Sequence, residues 1–132
     1  MSRSLLDANI ISDLVRNPSG RVAKRLARTP AVNPCTSILV AAELRYGAAR
    51  KGSDRLSTVV DGVLARLDVL PFEAPADRVY GALRTDLERR GVTLAANDLL
   101  IAAHALALGC VLVSDDQAFA RDPGLTVENW LR

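Results

Sequence analysis

Short apolar runs, each too brief to be a helix, alternate along this chain with longer segments whose apolar residues recur at helical spacing. That alternation constrains the fold more than any other feature. The runs are Ser4-Leu5-Leu6, a strand within Pro30 to Ser37 centred on Ala31-Val32, Asp68-Val69-Leu70-Pro71-Phe72, Val111-Leu112-Val113 and Thr126-Val127-Glu128. Between the first two, the pattern predicts a helix over Asn9 to Val15 that stops before Pro18, and a second over about Gly20 to Ala27. A third helix starts near Ile38 and runs through Arg50 to a break at Gly52-Ser53, and a fourth covers residues 54–66. Ala74 to Arg90 reads as a long amphipathic helix ended by Gly91, and Asn97 to Leu108 as a nearly all-apolar one ended by Gly109, the residue type that most easily takes the left-handed cap. Phe119 to Pro123 is expected to be a short turn or helix. Buried strands alternating with helices predict an α/β fold, a parallel sheet with helices on both faces.

A chain of 132 residues fits a single domain over 1–132, large enough to bury about two-thirds of the surface it exposes when unfolded. With only 4% aromatic residues, its core must be built from Leu, Val, Ile and Ala. No stretch is long enough to span a bilayer, and Met1-Ser2-Arg3-Ser4 leads straight into a strand without a secretory signal. The expectation is a cytoplasmic protein with no membrane partner. Cys35 and Cys110 lack Cys-x-x-Cys spacing and the sole histidine is His104, which leaves too few soft ligands for zinc. Both cysteines read as buried, inert thiols, and His104 as a packing or surface histidine.

Net charge is +2 but unevenly spread: residues 1–55 carry +6 and residues 56–132 carry −4. Arg21, Lys24, Arg25 and Arg28 lie on the outer face of a helix whose Val22 and Leu26 turn inward. That face is either a solvated surface or a guide for a phosphate backbone such as RNA.

The chemistry is carried by acids that close or follow the apolar runs: Asp7, Glu43, Asp98 and the pair Asp115-Asp116. In a parallel α/β sheet the carboxyl ends of the strands share one edge, where ligands bind. Carboxylates gathered there repel unless a divalent cation neutralises them, and an oxygen-only set suits Mg²⁺ or Mn²⁺. Each acid also has a structural alternative. Asn9 is available to cap the first helix, which makes Asp7 an accessory turn residue, and Arg45 or Arg50 could pair with Glu43. Asn97 is a natural N-cap, with Asp98 stabilised by the helix dipole, and Asp115-Asp116 could be a plain turn. Phosphate-binding loops, dinucleotide fingerprints and nucleophile elbows are absent, so metal-assisted phosphodiester hydrolysis is the chemistry left.

Four segments then resemble, in order, the motifs of the PIN-domain ribonuclease toxins of VapC type. Leu6-Asp7-Ala8-Asn9-Ile10 looks like the opening Asp-Thr-Asn signature, Ala42-Glu43-Leu44-Arg45-Tyr46-Gly47 like the second motif, and Asn97-Asp98-Leu99-Leu100-Ile101-Ala102-Ala103-His104 like the third. Ser114-Asp115-Asp116-Gln117-Ala118-Phe119 is similar to the fourth, which sets Asp116 on the motif's acid, and Pro123 to Trp130 matches a common ending. The resemblance implies a PIN-like domain with a five-stranded parallel sheet and a Mg²⁺ or Mn²⁺ site at Asp7, Glu43, Asp98 and Asp116. It also implies endoribonuclease activity, a homodimer, and a cognate antitoxin. Ala8 replaces the usual Thr, and Ala95 stands where a Gly often precedes the third motif. The alternatives are a DNA-acting nuclease of the same fold and a non-catalytic Mg²⁺-binding interaction domain. The latter, if receiver-like, would need a late lysine, and no Lys follows Lys51.

Overall fold

The computed structural model describes residues 3–29, 33–122 and 124–132. Its five strands are β1 (Ser4–Leu6), β2 (Pro34–Ser37), β3 (Asp68–Leu70), β4 (Val111–Val113) and β5 (Val127–Glu128). All neighbours pair in parallel, in the order β3-β2-β1-β4-β5. Six α-helices surround them: α1 (Ala8–Arg16), α2 (Arg21–Arg28), α3 (Ile38–Lys51), α4 (Asp54–Leu64), α5 (Ala76–Arg89) and α6 (Ala96–Leu108). A 3₁₀ turn covers Gln117–Arg121.

β1 is the central strand, and the sequence shows why. Successive residues of a strand point to opposite faces, yet Leu5 and Leu6 are both wholly buried, so helices cover both sides of the sheet. The chain steps outward from β1 to β2 and β3, then returns across the sheet to place β4 on the other flank of β1 and β5 beyond it. The reversal creates a switch point between the carboxyl ends of β1 and β4, the crevice where open α/β sheets bind ligands.

Local chemistry sets the boundaries. Ser37 ends β2 and caps α3 by accepting from the Leu39 amide at 3.0 Å, so strand passes into helix without a loop. Gly52 and Gly109 close α3 and α6 at φ of 64° and 67°. α5 and α6 pack as a pair, while α1, α3 and α4 pack against one another. Arg3 fastens the edge strand β3 through Asp68 at 2.6 Å.

Several expectations need correction. Asp7 itself caps α1 and Asn9 lies inside that helix, so the cap anticipated at Asn9 is displaced by two residues. Likewise Ala95 holds the extended N-cap conformation of α6, with no side-chain cap bond, and Asn97 is exposed within the first turn. α5 begins at Ala76 rather than Ala74. The strand centre anticipated at Ala31-Val32 falls outside the described residues, as does Pro123, and the described part of that strand is Pro34–Ser37. Among the described residues no helix is long and apolar enough to cross a membrane.

Cys35 and Cys110 are free and buried, with their sulfurs 3.9 Å apart. They flank β1 from opposite sides, so two strand spacings, about 9.5 Å, separate their backbones. That is well beyond the reach of a disulfide. Burial pushes the Cys35 thiol up to about 12 and raises Cys110 also, which leaves both unreactive.

Candidate active site

Asp7 stands where β1 becomes α1. Its amide donates to the Val113 carbonyl at 2.9 Å, extending the β1–β4 pairing to the edge of the crevice. Its side chain is only 6% exposed and is held at both oxygens: Oδ1 accepts from the Ala8 amide and Oδ2 from the Ser114 hydroxyl, each at 2.8 Å. Ser114 in turn accepts from the Asp116 amide at 3.0 Å and from Asn9 Nδ2 at 3.3 Å. One buried hydroxyl thus uses its proton and both lone pairs to fix three neighbours. Asn9 completes the lattice by accepting from the Asp115 amide at 3.0 Å.

Asp98 enters from the first turn of α6, where the unpaired amides favour a negative charge. Glu43 enters from α3, half-buried, and among the described residues no donor or cation reaches its carboxylate. The two arginines expected to neutralise it are engaged elsewhere: Arg45 pairs with Asp61 of α4, and the Arg50 guanidinium sits 5.8 Å from the Tyr46 ring centre. Asp116 is exposed and caps the 3₁₀ turn by accepting from the Ala118 amide at 2.9 Å. Asp115 turns the other way, accepting from Asn129 Nδ2 at 2.7 Å and lying 3.5 Å from Arg132.

The electrostatics tie these acids together. Burial raises Asp7, Glu43 and Asp98 from their ordinary values and repulsion between acids adds to it, although at Asp7 the bonds from Ser114 and Ala8 pull the other way. Asp7 feels Asp116; Glu43 feels Asp7 and Asp98; Asp98 feels Asp116 and Asp7. Among the described residues no three acids are drawn tightly enough to ligate one ion directly. The donor set nevertheless fits Mg²⁺ or Mn²⁺, since such ions take one or two carboxylates and keep several waters.

His104 is buried at 1% exposure, with Nδ1 2.7 Å from the Ser37 hydroxyl and the Phe72 ring 5.2 Å away edge-on. Burial lowers its pKa, against a weaker opposing pull from the Pro71 carbonyl and Glu73. On the basic helix, Arg21 donates to the Leu131 carbonyl at 3.0 Å, and Arg25 lies 3.6 Å from Glu128 and 5.2 Å from the Trp130 ring centre. Two of the four cations therefore hold the C-terminal segment, while Lys24 and Arg28 face solvent. The organising roles of Ser114 and Asn9 have no counterpart in the sequence-based expectations. Both lie within or beside motif acids, but their bond spans 105 positions and has no local signal.

The PIN domain family model matches residues 4–124. The chain belongs to the PIN-domain family, in its VapC branch. A VapC relative, ribonuclease VapC2 of Rickettsia felis, is 42% identical over 96 residues, covering 71% of this chain and 72% of that protein. The tRNA(fMet)-specific endonuclease VapC of Salmonella typhimurium is 31% identical over 132 residues, covering 98% and 99%. Among solved structures, VapBC2 from Rickettsia felis, bound to a DNA fragment from its promoter, contains a chain that superposes with a TM-score of 0.89 at 34% identity, covering 96% of this chain and 98% of that one. The VapC branch thus accounts for the chain almost end to end.

Proposed function

We propose that this protein is a metal-dependent endoribonuclease, the toxin of a toxin–antitoxin pair, with Asp7, Glu43, Asp98 and Asp116 holding Mg²⁺ or Mn²⁺. The observation that carries this reading is the switch-point crevice, where carboxylates come from four separate segments and burial, with repulsion from neighbouring acids, raises Asp7, Glu43 and Asp98 while no cation among the described residues pairs with them. A divalent cation there supplies charge neutralisation, Lewis-acid polarisation of the phosphate and a lowered pKa for water. Asp7, locked by Ala8 and Ser114, and Asp98, on the α6 dipole, provide the fixed anionic frame. Glu43, without a described hydrogen-bond donor, is suited to take the proton of the attacking water, and Asp116 orients that water from the crevice rim. Arg21, Lys24, Arg25 and Arg28 offer a basic face to the RNA backbone, with Lys24 and Arg28 the more available.

Purified protein in Mg²⁺ is expected to cut RNA, with tRNA the first substrate to try, and to leave single-stranded DNA intact. EDTA should stop the reaction. Asp7→Asn should lower the rate by more than about a hundredfold, the upper end of what disturbing an outer-shell partner costs. Cleavage of DNA alone, or an Asp7→Asn rate near that of the wild type, overturns the reading. Growth arrest on induced expression, relieved by a neighbouring gene, tests the toxin and its antitoxin. α3 presents Ile38 at 47% and Tyr46 at 66% exposure, two turns apart with Ala42 between, an apolar stripe that supports a homodimer. A monomeric mass by light scattering would remove that part.

A further inference from the structure

Beside the acid cluster a cleft of about 320 Å³ opens between α1, α3 and α4, within the size range of small-ligand sites. One wall is a single face of α1, where Ala8, Ser12 and Arg16 follow at four-residue steps. The opposite wall is one stripe of α3, running from Glu43 through Gly47 to Arg50 and Lys51. The floor is apolar, made by Leu44, Leu56 and Val60. Charge is therefore graded along the cleft: an acid shared with the crevice at the inner end, three cations at the outer rim. Among the described residues Arg16, Arg50 and Lys51 pair with no acid.

Gly47 leaves one wall of the cleft without a side chain. A Cβ built there meets no atom within 4 Å, so packing does not require glycine, and in the middle of a helix glycine is unfavourable. What it provides is space, one turn beyond Glu43. An apolar floor for a base, a hydroxyl at Ser12, and cations spaced beyond them match one nucleotide followed by its backbone phosphates.

We propose that this cleft is an RNA subsite that seats the nucleotide next to the scissile phosphodiester, with Arg16, Arg50 and Lys51 contacting the phosphates that follow. The inference rests on the RNA-cleaving reading above, and adds residues that the basic face of α2 does not include. A strand entering along α3 would be led past Gly47 to Glu43, so the cleft also sets the direction in which the RNA crosses the crevice.

The test uses Asp7→Asn protein, so that substrate survives, and binding of a short unstructured RNA of mixed sequence in Mg²⁺ across a salt series. Relative to that parent, Arg50→Gln with Lys51→Gln, and separately Arg16→Gln, should weaken binding and flatten the slope of log K against log salt by about 0.7 for each phosphate no longer neutralised. Gly47→Leu changes no charge and fills the cleft. It should weaken binding about tenfold or more at every salt concentration while the slope stays at the parent value. In protein with Asp7 intact, Gly47→Leu should raise KM and leave Mn²⁺ affinity within error of wild type, with a melting temperature no lower than wild type because a helix-interior glycine has been replaced.

Binding and slope equal to the parent's in all these variants overturn the subsite, as they would if a protein segment filled the cleft instead, and wild-type cleavage of RNA would then still stand by itself. Failure of the wild type to cut RNA at all overturns both readings together.

Discussion

Ser114 is the residue on which the candidate site turns, although it carries no charge. Its hydroxyl donates to Asp7 and accepts from the Asp116 amide and Asn9. Ser114→Ala leaves a buried carboxylate oxygen and an amide without partners, a loss of about 1–3 kcal/mol in stability. More tellingly, it frees Asp7 to rotate. Mn²⁺ affinity and RNA cleavage should each fall about 10- to 100-fold, as for other groups that orient metal ligands. Asp115→Asn serves as the internal comparison, since that side chain is turned to Asn129 and Arg132, and it should cut RNA within a few fold of wild type while Asp116→Asn does not. A Ser114→Ala protein with unaltered metal affinity would show that Asp7 needs no such brace.

Between elements, the Ser37–His104 contact joins the start of α3, which carries Glu43, to α6, which carries Asp98. Ser37→Ala removes the α3 cap and leaves a buried imidazole nitrogen unpaired, an expected loss of about 2–3 kcal/mol by denaturant unfolding. His104 also has a pH signature. Its folded pKa lies below the unfolded value near 6.5, so the unfolded chain binds the proton more readily, and stability falls as pH drops below about 6.5. His104→Gln should be less stable at neutral pH but show a flatter decline from pH 7 to 5.5, and parallel curves for the two proteins would exclude the imidazole as the source. How much of this was legible beforehand follows from the same elements. Strands such as Val111–Val113 were readable because three apolar residues lie between a helix-ending glycine and an acidic turn. The caps were not, because Asp7 and Asn9 are both favoured N-cap types two residues apart and only the β1–β4 pairing decides between them. Nor could the sequence assign Arg45 to Asp61 rather than Glu43, since that choice is made by the packing of α4 against α3.

For the whole molecule, the raised carboxylates are a strain that a cation relieves. Mg²⁺ at a hundredfold excess over its Kd should raise the melting temperature by on the order of 10 °C. Asp7, Glu43 and Asp98 have folded pKa values above the unfolded ones, so protons also relieve the strain, and they begin to do so at a higher pH than for ordinary carboxylates. The difference in melting temperature between Mg²⁺ and EDTA should therefore shrink as pH falls from 7 toward 5, with His104 cancelling because it titrates in both. A difference constant across that range would mean the acids are not raised together. The central position of β1 bears on timing as well. The bond from Ser114 to Asp7 spans 107 positions, and β1 gains its second neighbour only when β4 exists. Contacts so distant in sequence close late in folding. A chain leaving the ribosome carries Asp7 almost from the start, but until residue 116 has emerged it has neither the brace for that acid nor the last carboxylate. The proposed site is therefore completed only by the last segments of the chain to be made.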